Sequence, residues 1–205
     1  MVRTVAIIAV FLVIAALTGL WIVSRGGNED QFAQCRQGQV AGGTAAIGGP
    51  FELVSETGET VTDEYVLTEP SLIYFGYTFC PDVCPTTLND LTDTMESLGK
   101  KADDIQVIMV SVDPERDTPE IMSQYVDYFG DDNLGITGSL EEVRKLTGGL
   151  GIYFEKQSAD GDDYVVDHSA AVLVIDPNGD FHALFSGPHV VENYVYDLPI
   201  IMGDN

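Results

Sequence analysis

The sequence predicts an α/β domain attached to one membrane-spanning helix, and three features of the 205-residue chain indicate this. An uncharged apolar run comes first. Short apolar segments then alternate with segments of helical periodicity, which is typical of strand-helix units around a sheet. Hydrophobic residues make up 45% of the chain, which is enough for one compact domain.

The apolar run covers residues 5–23 and is long enough to cross the hydrocarbon core of a bilayer. We therefore predict an N-terminal membrane anchor at residues 1–25. A cleaved signal peptide is the alternative, but the run is longer than the apolar core of most such peptides and no small-residue cleavage site follows it. Two positive groups, Arg3 and the terminal amine, precede the run, and Arg25 alone follows it. This difference slightly favours an N-terminus on the cytoplasmic side of the membrane. The domain is then expected in the periplasm or an equivalent extracytoplasmic space.

The chain is strongly acidic, with 33 Asp and Glu residues against 9 Lys and Arg residues and a net charge of −24. Such a surface repels a phosphate backbone, so we predict no nucleic-acid partner. We attribute the acidity to solvation and solubility in preference to a dedicated docking surface.

Residues 26–49 are rich in Gly, Ala and Gln and contain few large apolar side chains, which predicts a flexible tether. The folded domain is then expected to span residues 50–205. Its first predicted element is a short hairpin of residues 51–54 and 59–61. The apolar run at 71–77 follows and predicts a buried strand.

A helix and a second buried strand are predicted next. Pro85 suits the first position of a helix, and apolar residues recur at spacings of three and four as far as Gly99. Residues 105–112 form a continuous apolar run, which predicts another buried strand. Thr118 is expected to cap a helix at residues 119–129.

The C-terminal part supplies shorter elements. The pattern predicts strands at 134–137, 152–154, 164–166, 171–175 and 181–185, and helices at 140–147 and 190–201. Parallel strand-helix units followed by an antiparallel hairpin and a terminal helix are the layout of a thioredoxin-like fold. In this layout, reactive residues lie at the carboxyl end of a central strand.

Two cysteines follow the strand at 71–77 directly, in the segment Cys80-Pro81-Asp82-Val83-Cys84-Pro85. N–H groups at the start of a helix lower the pKa of a thiol and favour the thiolate. If both sulfurs point to one side, the three intervening residues leave room for an ion, whereas a disulfide needs a closer approach. Thiolates select soft ions such as Cu(I).

His168 precedes the predicted strand at 171–175, which in a thioredoxin-like sheet can run beside the strand leading to Cys80. The imidazole can then face the cysteines and complete a ligand set that suits Cu(I) or Cu(II). A hydrogen-bonded structural histidine is the alternative for His168. Zinc would ordinarily require a fourth ligand, and His182 and His189 resemble hairpin or loop residues.

Three blocks of the sequence resemble the SCO/SenC family in order and spacing. They are Tyr77–Pro85 (YTFCPDVCP), Ser111–Thr118 (SVDPERDT) and Asp167-His168. The resemblance covers the chain from near Ile47 to its end, and the predicted anchor also matches. It implies a thioredoxin fold, copper held by Cys80, Cys84 and His168, and delivery of the copper to the binuclear site of cytochrome c oxidase subunit II.

Some residues of these blocks have more than one interpretation. The Asp82 carboxylate either orients a metal ligand or a docking partner, or it lies at a helix N-terminus for structural reasons. Asp113, Arg116 and Asp117 are expected to stabilise a loop and the start of a helix. Cys35, in the tether, has no assigned role.

A thiol-disulfide oxidoreductase that reduces the acceptor's cysteines is the main alternative function, and both functions require a thiol reductant as partner. Such enzymes usually carry a proline on the loop facing the cysteines, and residues 166–170 contain none, which favours metal binding. A structural disulfide would constrain the unfolded chain little across so short a loop. A peroxidase is disfavoured, because Tyr77 and Pro81 stand where a threonine would precede the reactive cysteine.

Overall fold

The computed structural model of the chain describes residues 49–157, 164–186 and 191–201. The predicted anchor at residues 1–25 lies outside these ranges, and so does the tether apart from Gly49. Among the described residues, no helix has the length and hydropathy that crossing a membrane requires. The anchor, the tether and the domain boundaries therefore stay predictions.

Strands and helices alternate along the described residues largely as the sequence predicts. The strands are β1 (Glu52–Ser55), β2 (Thr60–Thr62), β3 (Ser71–Gly76), β4 (Gln106–Ser111), β5 (Leu134–Thr137), β6 (Phe154–Lys156), β7 (Val166–His168), β8 (Ala171–Ile175) and β9 (Phe181–Ser186). The helices are α1 (Asp63–Val66), α2 (Val83–Leu98), α3 (Pro119–Asp127), α4 (Leu140–Leu150) and α5 (Val191–Ile201). Thr118 caps α3 through its side chain, as predicted.

Seven of these strands form one sheet in the order β2-β1-β5-β4-β3-β8-β9. The strands β5, β4 and β3 run parallel. The strand β8 joins the other edge of β3 in antiparallel orientation and turns back as β9. The strands β6 and β7 pair in a separate two-stranded sheet. Parallel strand-helix units with an antiparallel hairpin confirm the predicted thioredoxin-like α/β fold.

The central strand β3 positions the segment that carries the cysteines. All of its residues, Ser71–Gly76, are buried, and β4 and β8 pair with its two edges. A strand buried on both faces has a continuous apolar sequence, which explains the clear signal at 71–77. The following helix α2 buries Leu88 and Leu91 and packs against α5. The loop between β3 and α2 therefore starts and ends on well-packed elements.

The helix α2 begins earlier than expected. It starts at Val83, whereas the sequence favoured Pro85 as its first residue. A proline is tolerated within the first turn, because the N–H groups there have no partner inside the helix. The earlier start places Cys84 within this turn, where the helix determines its backbone conformation.

The strand that carries His168 lies later than expected. It covers Val166–His168 and not residues 164–166, since it pairs with β6 in a register that places His168 opposite Phe154. His168 is therefore a strand residue. Other differences lie away from the cysteines. The strand β6 covers Phe154–Lys156 and not residues 152–154. The short helix α1 was not expected, and α4 continues to Leu150, after which Gly151 ends the helix with a φ of 67°.

A cross-strand pair with unequal burial tests where the core lies. Leu173 on β8 is 0% exposed, and Leu184, its partner on β9, is 38% exposed. We expect Leu173→Ala to lower the free energy of unfolding by about 2 to 5 kcal/mol through the cavity it leaves. Leu184→Ala should lower it by less than about 1 kcal/mol. Urea unfolding measures both, and equal losses would contradict this assignment of the core.

Candidate metal centre

Three candidate ligands meet beyond the end of β3. Cys80 lies in the loop after β3, Cys84 lies in the first turn of α2, and His168 ends β7. Their sulfur and imidazole nitrogen atoms all lie within 4.8 Å of one another. These are the three ligands that the sequence predicted. Among the described residues, they form the one group of cysteine, histidine and acidic side chains with such spacing.

Direct contacts connect the three side chains. Cys84 Sγ lies 3.4 Å from His168 Nε2, and the backbone N–H of Cys84 donates to Cys80 Sγ at 3.4 Å. Neither of these two cysteines forms a disulfide. The carbonyl oxygen of Ser169 lies 3.4 Å from His168 Nδ1. The carbonyl can accept a hydrogen bond from Nδ1, and in that tautomer Nε2 offers the lone pair that a metal ligand must have.

The two cysteines ionise differently. The pKa of Cys80 is lowered, first by a hydrogen bond from the Cys84 thiol and further by His168 and two backbone N–H groups. The pKa of Cys84 is raised, because its proton is held in that hydrogen bond and because its side chain is buried. The metal-free site therefore holds a thiolate on Cys80 beside a thiol on Cys84. An arriving cation has to displace one thiol proton.

Tyr77 holds the strand of His168 against the main sheet. Its hydroxyl accepts a hydrogen bond from the backbone N–H of Val166 at 3.3 Å. Its ring meets the His168 ring edge-on, with centroids 5.7 Å apart and planes at 89°. The sequence did not predict this role of Tyr77, because no local pattern indicates that a residue after β3 contacts β7.

A buried carboxylate holds the loop between β3 and Cys80. Asp117 is 0% exposed and accepts hydrogen bonds from the backbone N–H of Thr78 at 3.1 Å and from its hydroxyl at 2.6 Å. Ser111, the last residue of β4, donates its hydroxyl to the same carboxylate. Burial raises the pKa of Asp117, although these donors oppose the shift. The loop is thus tied to β4 just before the first candidate ligand.

A second buried carboxylate connects this loop region to the segment before β7. Asp113 accepts a hydrogen bond from the Tyr164 hydroxyl at 2.6 Å and another from Arg116 Nε. The Arg116 guanidinium lies 3.6 Å from the ring centroid of Tyr164 and 4.6 Å from that of Phe79. The predicted structural role of Asp113, Arg116 and Asp117 is confirmed. Their partner Tyr164 was not predicted from the sequence, because it lies far from them along the chain.

Other candidate residues lie apart from this group. Asp82 is exposed at the N-cap of α2, and its side chain makes no cap hydrogen bond. It neither caps the helix through its carboxylate nor belongs to the ligand group. His182 pairs with Asp176 at 3.1 Å in the hairpin of β8 and β9. His189 and Cys35 lie outside the described residues.

The fold and this group of side chains define a class of protein. It is a thioredoxin-like domain with a site suited to a soft metal ion beyond the carboxyl end of a central strand. The SCO1/SenC family model matches residues 39–202 of the chain. The chain belongs to the SCO1/SenC family, as the resemblance of its motifs implied.

Individual relatives agree with this membership. Protein SenC of Rhodobacter capsulatus is 35% identical over 195 residues, which cover 94% of this chain and 86% of that protein. The mitochondrial SCO1 homolog of Homo sapiens is 39% identical over 142 residues, which cover 68% of this chain and 47% of the human protein. The solved structure of Arabidopsis thaliana ScoI with copper bound matches with a TM-score of 0.73 at 31% identity, and the match covers 78% of this chain and 99% of that one.

Close packing at Gly76 makes the site sensitive to a single methyl group. A Cβ atom on Gly76 would lie 2.6 Å from Tyr74 Cε1 and 2.9 Å from Cys84 Sγ. We expect Gly76→Ala to lower the free energy of unfolding by about 1 to 3 kcal/mol and to displace Cys84. At Gly148 in α4 nothing lies within 4 Å of such an atom. Gly148→Ala should therefore raise the free energy of unfolding by about 0.5 to 1 kcal/mol, and effects of the same sign would contradict this packing.

The ionisation of Cys80 predicts an unusual pH dependence of its reactivity. Because its pKa is lowered and that of Cys84 is raised, we expect iodoacetamide to alkylate Cys80 at about pH 6 and to leave Cys84 largely unmodified. Acidification should slow the reaction only below that pH, as protonation removes the thiolate. Cys84→Ala removes the main hydrogen bond that stabilises the Cys80 thiolate, so the pH at which the alkylation rate is half-maximal should rise. Mass spectrometry measures this rate. A half-maximal rate at about pH 8.5 in the native protein would show that Cys80 is an ordinary thiol.

Proposed function

We propose that the protein is a copper chaperone, which binds copper through Cys80, Cys84 and His168 and passes it on during cytochrome c oxidase assembly. The convergence of two sulfurs and one imidazole nitrogen within 4.8 Å carries this proposal. Family membership supports the choice of metal, since ScoI proteins of Arabidopsis thaliana and Bradyrhizobium japonicum have been solved with copper bound.

The donor set favours copper over other ions. Two thiolates and an imidazole suit a soft or borderline ion, whereas Mg²⁺ and Ca²⁺ prefer oxygen ligands. A structural zinc site ordinarily uses four protein ligands. Among the described residues, no further cysteine, histidine or carboxylate joins the group. Binding also requires loss of the Cys84 thiol proton. The affinity for copper should therefore decrease as the pH is lowered.

Unequal exposure of the ligands suggests how the ion leaves. Cys84 is 0% exposed and Cys80 is 8% exposed, whereas His168 is half-buried. Ligands of an acceptor would therefore approach from the side of His168 and Cys80. We infer a stepwise exchange in which acceptor thiolates replace these two ligands before Cys84 releases the ion. Phe79 and Val83, both exposed beside the cysteines, would contact the acceptor.

The proposed acceptor is the binuclear copper site of cytochrome c oxidase subunit II, as the family resemblance implies. A solved protein of the same fold is described as a member of the Sco family of cytochrome c oxidase assembly proteins. The proposed location is the outer side of a membrane. The uncharged run at residues 5–23 supports it, because an anchor there would keep the domain close to a membrane-bound oxidase.

Reduction of the acceptor's cysteines is a second candidate function, favoured by the Cys80 thiolate beside the Cys84 thiol. The Cys80 thiolate would attack an acceptor disulfide and form a mixed disulfide. Cys84 would then resolve it, which releases the acceptor as two thiols and leaves a Cys80–Cys84 disulfide for a thiol reductant to reduce. Residues 166–170 contain no proline, whereas oxidoreductases of this fold usually carry one on the loop facing the cysteines, so the chaperone stays the first proposal.

Copper binding by the reduced protein tests the chaperone proposal. We expect the reduced native protein to bind one Cu(I) per chain, measured as the copper that it removes from a chromogenic chelator. The Cys80→Ser, Cys84→Ser double variant should lose this binding, and His168→Ala should weaken Cu(I) binding and abolish Cu(II) binding. His182→Ala is the matched control, because His182 pairs with Asp176 and lies outside the ligand group.

The outcomes separate the two functions. Copper loading that is unchanged in His168→Ala would contradict the proposed ligand set. A native chain that binds no copper but rapidly reduces a disulfide in the acceptor's copper-binding segment would favour the reductase. Delivery itself is measured by mixing the copper-loaded protein with the soluble domain of subunit II and recording the absorption of its binuclear centre.

A further inference from the structure

Tyr74 has a buried hydroxyl beside the candidate metal centre. Its side chain projects from β3 and is 0% exposed. Among the described residues, the hydroxyl has no hydrogen-bond partner. Burying a polar group without a hydrogen bond is unfavourable, so buried hydroxyls of this kind need an explanation. A state of the protein in which the hydroxyl finds an acceptor would supply one.

The Tyr74 ring lies against the Cys84 sulfur. Tyr74 Cε1 and Cys84 Sγ both lie within 3 Å of the place that a Cβ atom on Gly76 would occupy, at 2.6 Å and 2.9 Å. The ring also meets the His168 ring edge-on, with centroids 6.1 Å apart and planes at 77°. The Tyr74 side chain is therefore packed beside two of the three candidate ligands.

Ligation of an ion decides whether this hydroxyl has a good acceptor. A cysteine that ligates a soft cation is a thiolate, and its sulfur has lone pairs to share. Cys84 is the candidate ligand beside Tyr74, and it is itself 0% exposed. Water therefore does not compete for the hydroxyl or for the sulfur. The Thr87 hydroxyl donates to the carbonyl of Val83 at 2.9 Å.

We propose that Tyr74 is a positioning residue of the metal centre, whose O–H donates a hydrogen bond to Cys84 Sγ once a soft cation is bound there. This rests on the proposed function only in that Cys84 ligates the ion. A hydrogen bond withdraws charge from a thiolate, and the thiolate is more electron-rich on Cu(I) than on Cu(II). Tyr74 therefore favours the reduced ion without touching it.

Tyr74→Phe removes the hydroxyl and keeps the ring. The unfolding midpoint of the metal-free variant should be unchanged or higher, because the hydroxyl has no partner there. With Cu(II) bound, the sulfur-to-copper charge-transfer band should shift to lower energy, and the copper reduction potential should fall. The affinity for Cu(I) should fall about 10- to 100-fold, the usual effect of losing a hydrogen bond to a metal ligand.

Tyr125→Phe is the matched control. Its hydroxyl is likewise buried without a partner among the described residues, and its ring packs edge-on against Phe129, with centroids 5.2 Å apart. Thr87→Val removes a second hydroxyl from the first turns of α2 and keeps the shape of the side chain. We expect both variants to keep the native charge-transfer band, reduction potential and Cu(I) affinity.

An unchanged band and affinity in Tyr74→Phe would overturn the inference, and so would an equal shift in Tyr125→Phe or Thr87→Val. A native chain that binds no copper is a failure of the proposed function. Cd²⁺, whose thiolate absorption also reports on the sulfurs, is therefore titrated in parallel. Weaker Cd²⁺ binding by Tyr74→Phe than by the native chain supports the bond to Cys84. Equal affinities, or a native chain that binds neither ion, overturn it.

Discussion

The approach of His168 to Cys84 is the contact on which the rest of the site depends. It joins a strand of the small two-stranded sheet to the first turn of the helix that follows the central strand, with Sγ and Nε2 3.4 Å apart. Neither element alone places a nitrogen beside two sulfurs. The hydrogen bond from the Val166 N–H to the Tyr77 hydroxyl maintains this approach, because it attaches β7 to the residue that follows β3.

The asymmetry between the two cysteines suits a site that must both take up and release an ion. One sulfur is buried, protonated and enclosed by Gly76 and Tyr74, while the other is ionised and nearer to the surface. The ionised sulfur attracts a cation first, and the buried sulfur exchanges its proton for the ion. The same asymmetry would serve thiol-disulfide exchange, so the ligand His168 is what distinguishes the two functions.

Carboxylates near this site stabilise the protein rather than offer oxygen ligands. Asp113 and Asp117 are both buried, and their oxygens accept hydrogen bonds from side chains of the neighbouring loops. Buried carboxylates that are fully hydrogen-bonded hold loops in one arrangement, because each broken bond would leave a charge unsolvated. The block that the sequence shares with the SCO/SenC family therefore includes residues that hold the loop before Cys80 and the segment before β7 in place.

The sequence by itself determined the α/β class, the buried strand β3, the amphipathic helix α2 and the identity of the three candidate ligands, since all of these depend on local periodicity, local spacing or recognisable motifs. Only the tertiary structure decided that β6 and β7 form a separate sheet, that His168 lies within β7, and that Tyr74 and Tyr77 lie against the ligands. The physical reason is the separation of the contacting residues along the chain. Contacts such as Tyr77 with Val166 join residues far apart along the chain, and no local pattern of hydrophobicity specifies which distant residues the packed core brings together.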